Sequence, residues 1–256
     1  MTLILYGFVF LFGLCIGSFL NVCIYRIPAS KSIVHPRSMC PQCGHPIRAY
    51  DNIPLLSYLW LKAKCRDCGA PVSLRYPVVE FLGGLFAVAS FSRFGLSAGA
   101  LIVYAFITVL LVITFIDIDH QIIPDVITLP GIPLGFAASF AMPNTTWTDS
   151  LIGIAVGGGS LLLVAWGYQL LTRKEGMGGG DIKLLAMIGA VVGWKGVLFT
   201  IFVASAVGTL SGLAVMIRRR KTMKLAIPFG PFLAIGAIAY LFFGPELVFW
   251  YLRLLK

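Results

Sequence analysis

Charge is scarce in this chain. Only 12% of its 256 residues are charged, and just ten are acidic. An ordinary soluble domain carries roughly twice that share, so a free-standing soluble fold is excluded. The alternating ten-residue segments of a membrane β-barrel are missing too. No internal repeat or low-complexity tract occurs, and no G-x-G-x-x-G follows a strand pattern, so nothing marks a dinucleotide-type cofactor fold. The first apolar run, Leu3 to Ile24, lacks a basic leader and an A-x-A-like cleavage site, so it reads as a retained helix rather than a signal peptide. What is abundant is apolar: 59% of residues, with a mean hydropathy of +0.93. Repeated runs of about 20 apolar residues make this an all-α polytopic membrane protein.

Eight transmembrane segments are expected: Leu3–Ile24, Pro77–Ser92, Leu96–Ile116, Val126–Met142, Ser150–Thr172, Ile182–Gly193, Gly196–Ile217 and Phe229–Leu252. A polar stretch, 26–76, separates the first two. Trp194-Lys195 is read as a tight turn, and Arg218 to Lys224 as a basic loop. The formal charge of +10 could suggest nucleic acid, but its distribution argues otherwise. Sixteen of the twenty lysines and arginines fall in one alternate set of loops. That bias orients membrane proteins, and it puts the 26–76 loop, the Asp117 segment and the glycine-rich loop before Asp181 in the cytoplasm, with both termini outward. The loop also lacks the interleaved aromatics or basic helix of a nucleic-acid binder.

Within that loop Cys40-Pro41-Gln42-Cys43 and Cys65-Arg66-Asp67-Cys68 form two C-x2-C knuckles, 21 residues apart. Four thiolates at this spacing suit a closed tetrahedral zinc site, giving a zinc-ribbon-like loop. Two disulfides are the competing reading, which a reducing cytoplasm disfavours. Such a site has no open position for water, so its expected role is to fold about fifty residues that lack a core of their own. His35 and His45 read as solvated, and Cys15 and Cys23 as small apolar side chains of the first helix.

The ten acids can be weighed singly. Asp51, Asp67 and Glu175 fall in polar loops and read as solvated, and Glu246, near the outer end of the last segment, reads as hydrated. Asp149 and Asp125 read as helix N-caps. Glu80, one turn into the second helix, needs a partner at that depth, and Arg75 is the nearest candidate in sequence. Asp117, Asp119 and Asp181 remain. Asp117 ends an apolar run, and Asp181 opens one after Met177-Gly178-Gly179-Gly180. If their helices are neighbours, the two carboxyls share a proton, and one can deprotonate water while the other polarises a carbonyl. Proton or cation transport through the same pair is the alternative chemistry.

At this point the chain resembles the bacterial type IV prepilin peptidases, the leader peptidase and N-methyltransferase family. The motifs lie in order along nearly the whole chain: Gly17-Ser18-Phe19-Leu20-Asn21-Val22, the knuckles flanking Asp51-Asn52-Ile53-Pro54-Leu55-Leu56-Ser57, Arg75-Tyr76-Pro77-Val78-Val79-Glu80, Asp117-Ile118-Asp119, Gly178-Gly179-Gly180-Asp181 and Pro228-Phe229-Gly230-Pro231. The resemblance implies catalysis by Asp117 and Asp181, with Asp119, Gly178, Gly180, Lys183 and Glu80 in support and Cys40, Cys43, Cys65 and Cys68 on structural zinc. It implies an inner-membrane enzyme that removes a short basic leader, after glycine, from type IV prepilin or type II secretion pseudopilin precursors. It further implies N-methylation of the new terminus, usually phenylalanine, from S-adenosylmethionine. The implied division is a first helix (1–25), a loop tied to methyl transfer (26–76) and a peptidase domain (77–256). A paired-aspartate transporter and a non-catalytic assembly component are the other classes considered.

Overall fold

The structure is a computed structural model that describes residues 2–142, 145–173, 178–219 and 228–254. Arg220 to Lys224 of the basic loop, Pro143, Lys174, Glu175 and Met177 lie outside the described residues. Among those described, the regular structure is helical: α1 (Thr2–Arg26), α2 (Leu56–Trp60), α3 (Arg75–Phe94), α4 (Ala98–His120), α5 (Asp125–Ser139), α6 (Trp147–Thr172), α7 (Gly179–Arg219) and α8 (Gly230–Leu254). α1, α3, α4, α6 and α7 are long and apolar enough to cross a bilayer. α5 has 15 residues, so it rises only about 22 Å. The chain forms two compact units, Met1–Val112 and Ile113–Lys256, with the division inside α4.

In the first unit α1 lies against α3, through glycines that let the two backbones touch. A Cβ at Gly17 would stand 2.6 Å from the Cα of Glu80, and one at Gly83 would stand 2.7 Å from the Gly13 carbonyl oxygen. Without a hydrophobic drive between helices in lipid, close backbone approach is what holds such pairs together. Tyr104 of α4 donates to the Gly83 carbonyl at 3.2 Å, closing one polar group inside the unit.

In the second unit α7 packs against α5, α6 and α8. The expected break after Ile182–Gly193 is present: Gly193 is non-helical, with φ 70° and ψ 176°. A break inside a helix frees carbonyls that the helix no longer pairs, and hydroxyls of neighbouring segments take them up. The Ser150 hydroxyl donates to the Ala190 carbonyl at 2.6 Å, and the Thr145 hydroxyl to that of Val191 at 3.2 Å. Asp149 accepts from the Trp194 indole N–H at 3.2 Å, tying the far side of the break to the start of α6.

Several local expectations are corrected. The N-cap of α6 is Thr146, and Asp149 is the third-residue partner of its capping box. Asp125 does not cap α5 either. It is the first helical residue after Pro124 and instead binds a lysine of α7. α4 continues through His120, so Asp117 and Asp119 stand on its last turn rather than in a polar turn beyond it. Cys23 is buried as expected, whereas Cys15 is exposed on α1. Asp51 is not a solvated loop acid, because Arg66 clasps it at both oxygens.

Candidate active site and metal centre

The acidic site is built where α4 ends and α7 begins, both within the second unit. α4 reaches that point on a fully buried stripe that includes Ile113 and Ile116, which carries Asp117 inward; only 5% of Asp117 is exposed. One carboxylate oxygen, Oδ2, accepts from the backbone N–H of Gly230 at 3.0 Å. Gly230 opens α8, so its N–H has no partner within the helix and is available to an acid. The fit is tight: a Cβ on Gly230 would lie 2.7 Å from Asp117 Oδ2 and 3.4 Å from Ile123 Cδ1.

Asp181 sits in the first turn of α7, and Gly180 before it packs against the same isoleucine. A Cβ at Gly180 would stand 2.9 Å from Ile123 Cβ. Ile123 is therefore a shared wedge beside both motifs, which brings the Asp117 and Asp181 elements together. The charge of Asp117 acts electrostatically on Asp181. Asp181 Oδ1 is buried with no hydrogen-bond partner. One acid is thus fixed by a backbone amide, while the other presents an oxygen with nothing bound to it.

The supporting residues separate into roles. Space beside Gly178 and Gly179 is open, whereas the space beside Gly180 is filled by Ile123. Lys183 leaves the pair alone and bridges to Asp125 at 2.7 and 2.8 Å, joining the starts of α7 and α5. Asp119 is exposed, two residues beyond Asp117. Sequence reasoning missed Gly230 and Ile123 as parts of the site. The Pro228-Phe229-Gly230-Pro231 stretch was the available signal, since glycine between prolines marks backbone that must pass close to something.

The four knuckle cysteines gather in the first unit. Their sulfurs all lie within 4.8 Å of one another, and Cys40 and Cys68 are 3.9 Å apart. Zinc–sulfur bonds of about 2.3 Å set a tetrahedral edge of about 3.8 Å, so the cluster fits one four-coordinate ion. The knuckles repeat one turn. Cys40 N–H donates to His45 carbonyl and Cys65 N–H to that of Ala70, at 2.9 and 2.8 Å. Gly44 and Gly69 follow each second cysteine with φ near +70°, a conformation that a side chain would strain. The Cys43 and Gln42 N–H groups pull the Cys40 thiol down to about 7. His35 and His45 are exposed and stand outside the sulfur cluster.

Glu80 has found its partners in the first unit. It accepts from the Leu55 N–H at 2.9 Å and lies beside the Ser18 hydroxyl. That contact anchors the Asp51–Ser57 segment to α3.

Against known proteins, residues 11–94 match the bacterial peptidase A24 N-terminal domain, and residues 104–213 match the type IV leader peptidase family. The chain is 39% identical to a prepilin leader peptidase/N-methyltransferase of Aeromonas hydrophila, over 96% of this chain and 93% of that one. It belongs to the type IV leader peptidase family. A protein of the same description from Pseudomonas aeruginosa is 40% identical over 95% of this chain and 92% of its own length, and one from Myxococcus xanthus is 42% identical over 82% and 63%. No solved structure matches the chain. As a member of this family the chain is a membrane peptidase with an N-methyltransferase activity.

Proposed function

We propose that Asp117 and Asp181 are the catalytic pair of an aspartic endopeptidase that removes the leader from type IV prepilin or type II secretion pseudopilin precursors. The observation that carries this reading is the asymmetric pair itself. Asp117 is held by the Gly230 N–H, and Asp181 Oδ1 is buried without a hydrogen-bond partner. Two buried carboxyls whose charges act on one another in a water-poor site share one proton. The ionised one takes a proton from a water as that water attacks the scissile carbonyl. The protonated one gives its hydrogen to the carbonyl oxygen. Collapse of the resulting gem-diol returns a proton to the leaving amine, and the pair is restored. Asp119 and Lys183 act at one remove. Lys183, through Asp125, sets where α7 starts, and the open space beside Gly178 gives an extended substrate backbone room to approach.

The precursor's apolar helix lies in the bilayer beside the second unit, and its basic leader ends, after glycine, at the cytoplasmic face where the loops carry most of the lysines and arginines. The enzyme is thus a multi-pass protein of the inner membrane with outward termini. The Cys40, Cys43, Cys65 and Cys68 cluster holds structural zinc, since four sulfurs leave no position for a reacting water. S-adenosylmethionine supplies the methyl group, placed on the new terminal residue, usually phenylalanine, with residues 26–76 serving that reaction and 77–256 the cleavage.

The test is direct. Purified protein is incubated with a synthetic precursor and S-adenosylmethionine, and both fragments are weighed. Scission with a mass gain of one methyl is expected for the wild type. Asp117→Asn and Asp181→Asn should each abolish scission while the protein still folds. Retained scission in either variant overturns the assignment, and transport of an ion with no change in any peptide would favour a channel-like role.

A further inference from the structure

The cysteine loop is tied to the helices that carry it. Arg26, the last residue of α1, donates to the Ser32 and Pro36 carbonyls at 2.8 and 2.7 Å, and Glu80 of α3 accepts from the Leu55 N–H at 2.9 Å. The second tie lies deep. α3 has 20 residues, so it is about 30 Å long and just crosses a hydrocarbon core. Glu80 stands five residues along it, about 7 Å inside the end at Arg75. On the neighbouring helix it lies against Gly17, nine residues before Arg26. Leu55 is therefore drawn down to the rim of the bilayer instead of standing off in water.

Leu55 immediately precedes α2, whose two faces differ in character. Ser57, Tyr58 and Leu61 line a cavity between the loop and the helices. Leu56, Leu59 and Trp60, spaced i, i+3 and i+4, share the other face and are 62%, 72% and 81% exposed. Hydroxyls turned in and large apolar groups turned out is the reverse of a helix that meets water. It is the order expected where the outer face meets lipid. On α3 the exposed Val78 and Phe81 flank Glu80 in sequence, so lipid-facing surface begins at the same level. The residues after α2 suit this boundary too. Lys62 and Lys64 are exposed, and tryptophan with nearby lysine is the pairing that marks a membrane–water interface.

We propose that α2 is an interfacial anchor whose partner is the lipid surface itself. Leu56, Leu59 and Trp60 enter the boundary between headgroups and acyl chains, and Lys62 and Lys64 reach the lipid phosphates. Glu80 sets the depth through Leu55, and the anchor keeps the cysteine loop on the membrane from which α1 and α3 project. This seating is independent of the chemistry assigned to either unit.

The test uses the full-length protein in nanodiscs of phosphatidylethanolamine and phosphatidylglycerol, with chains either plain or brominated near the headgroup. Subtracting the emission of Trp60→Phe isolates Trp60 from the other tryptophans. The Trp60 component is expected to fall about two-fold in brominated discs and to resist iodide added to the water. Quenching by iodide with none by bromine puts this face in water and overturns the anchor. Protection from both means that protein covers it, a second copy or another partner, and overturns the anchor equally. A second measurement needs no substitution: a lipid-borne diazirine is photolysed in discs of wild-type protein, and the labelled peptides are mapped by mass. Label on α2 is expected, and label confined to the long helices refutes the proposal.

Discussion

Gly230 shows how a residue with no side chain can decide the geometry of an acid. Its N–H holds Asp117 Oδ2, and the space where a Cβ would go is already taken by that same oxygen. Alanine there must push the carboxylate away from its partner by a large part of an ångström. Misplacement of that size costs on the order of 100-fold in rate. Gly230→Ala should therefore lower leader scission about 100-fold while leaving both aspartates present, as read by mass spectrometry of the products. A second case concerns charge. Arg66 holds the Asp51 carboxyl below its ordinary range through two hydrogen bonds at 2.8 and 2.5 Å. A group lowered on folding contributes stability above its free value, about 3.9 for aspartate, and loses it as pH falls through the lower folded value. Arg66→Gln should then make the loop more open to protease at pH 7, with the difference from wild type vanishing in acid. The effect is small, because Arg66 is solvated and the pair is screened. A difference that grew on acidification would refute the pairing as the cause.

At the scale of elements, α7 shows what was readable in the sequence and what was not. The apolar run, the glycine and the Trp194-Lys195 pair announced a break, because local composition decides where a helix can stop. The loose ends of the break were not readable. Ser150 and Thr145 lie 40 and 46 residues from the carbonyls they satisfy, and only helix packing brings them there. The same holds for Asp125, which looks like a cap after Pro124 yet pairs with Lys183, 58 residues on. In the acidic site the two aspartates were legible because a charge at a membrane boundary demands a reason. The parts of Ile123 and Gly230 were not: the Pro228–Pro231 stretch marked a close backbone approach, but neither an isoleucine nor a backbone amide names its distant partner. The α7 break yields its own prediction. Ser150→Ala leaves the Ala190 carbonyl without its donor, and interhelical hydrogen bonds of this kind are worth about 1 kcal/mol. Denaturant unfolding of the micelle-bound protein should show a loss of that order. Adding Thr145→Val should roughly double it, because each hydroxyl serves a different carbonyl.

For the whole molecule, the distribution of chemistry over the two units matters most. Asp117 and Asp181 both fall within residues 113–256, and the cysteine cluster falls within residues 1–112. The loop that carries the cysteines has no sizeable core, so a metal held by the four sulfurs would carry its fold in the way it does in small zinc modules. The acidic pair depends instead on helix packing and on the Gly230 amide, neither of which involves sulfur. Removing zinc should therefore separate the two activities. Treatment with a strong chelator, or Cys40→Ser combined with Cys65→Ser, should cut methyl transfer at least ten-fold and leave leader scission within about two-fold, because the loop loses the cluster that folds it while Asp117 keeps the Gly230 amide. Assaying both products from one incubation makes the comparison internal, since scission must precede methylation of the new terminus. Equal loss of both would mean that the metal loop also takes part in presenting the leader, and the cleavage chemistry would then have to be assigned to both units together.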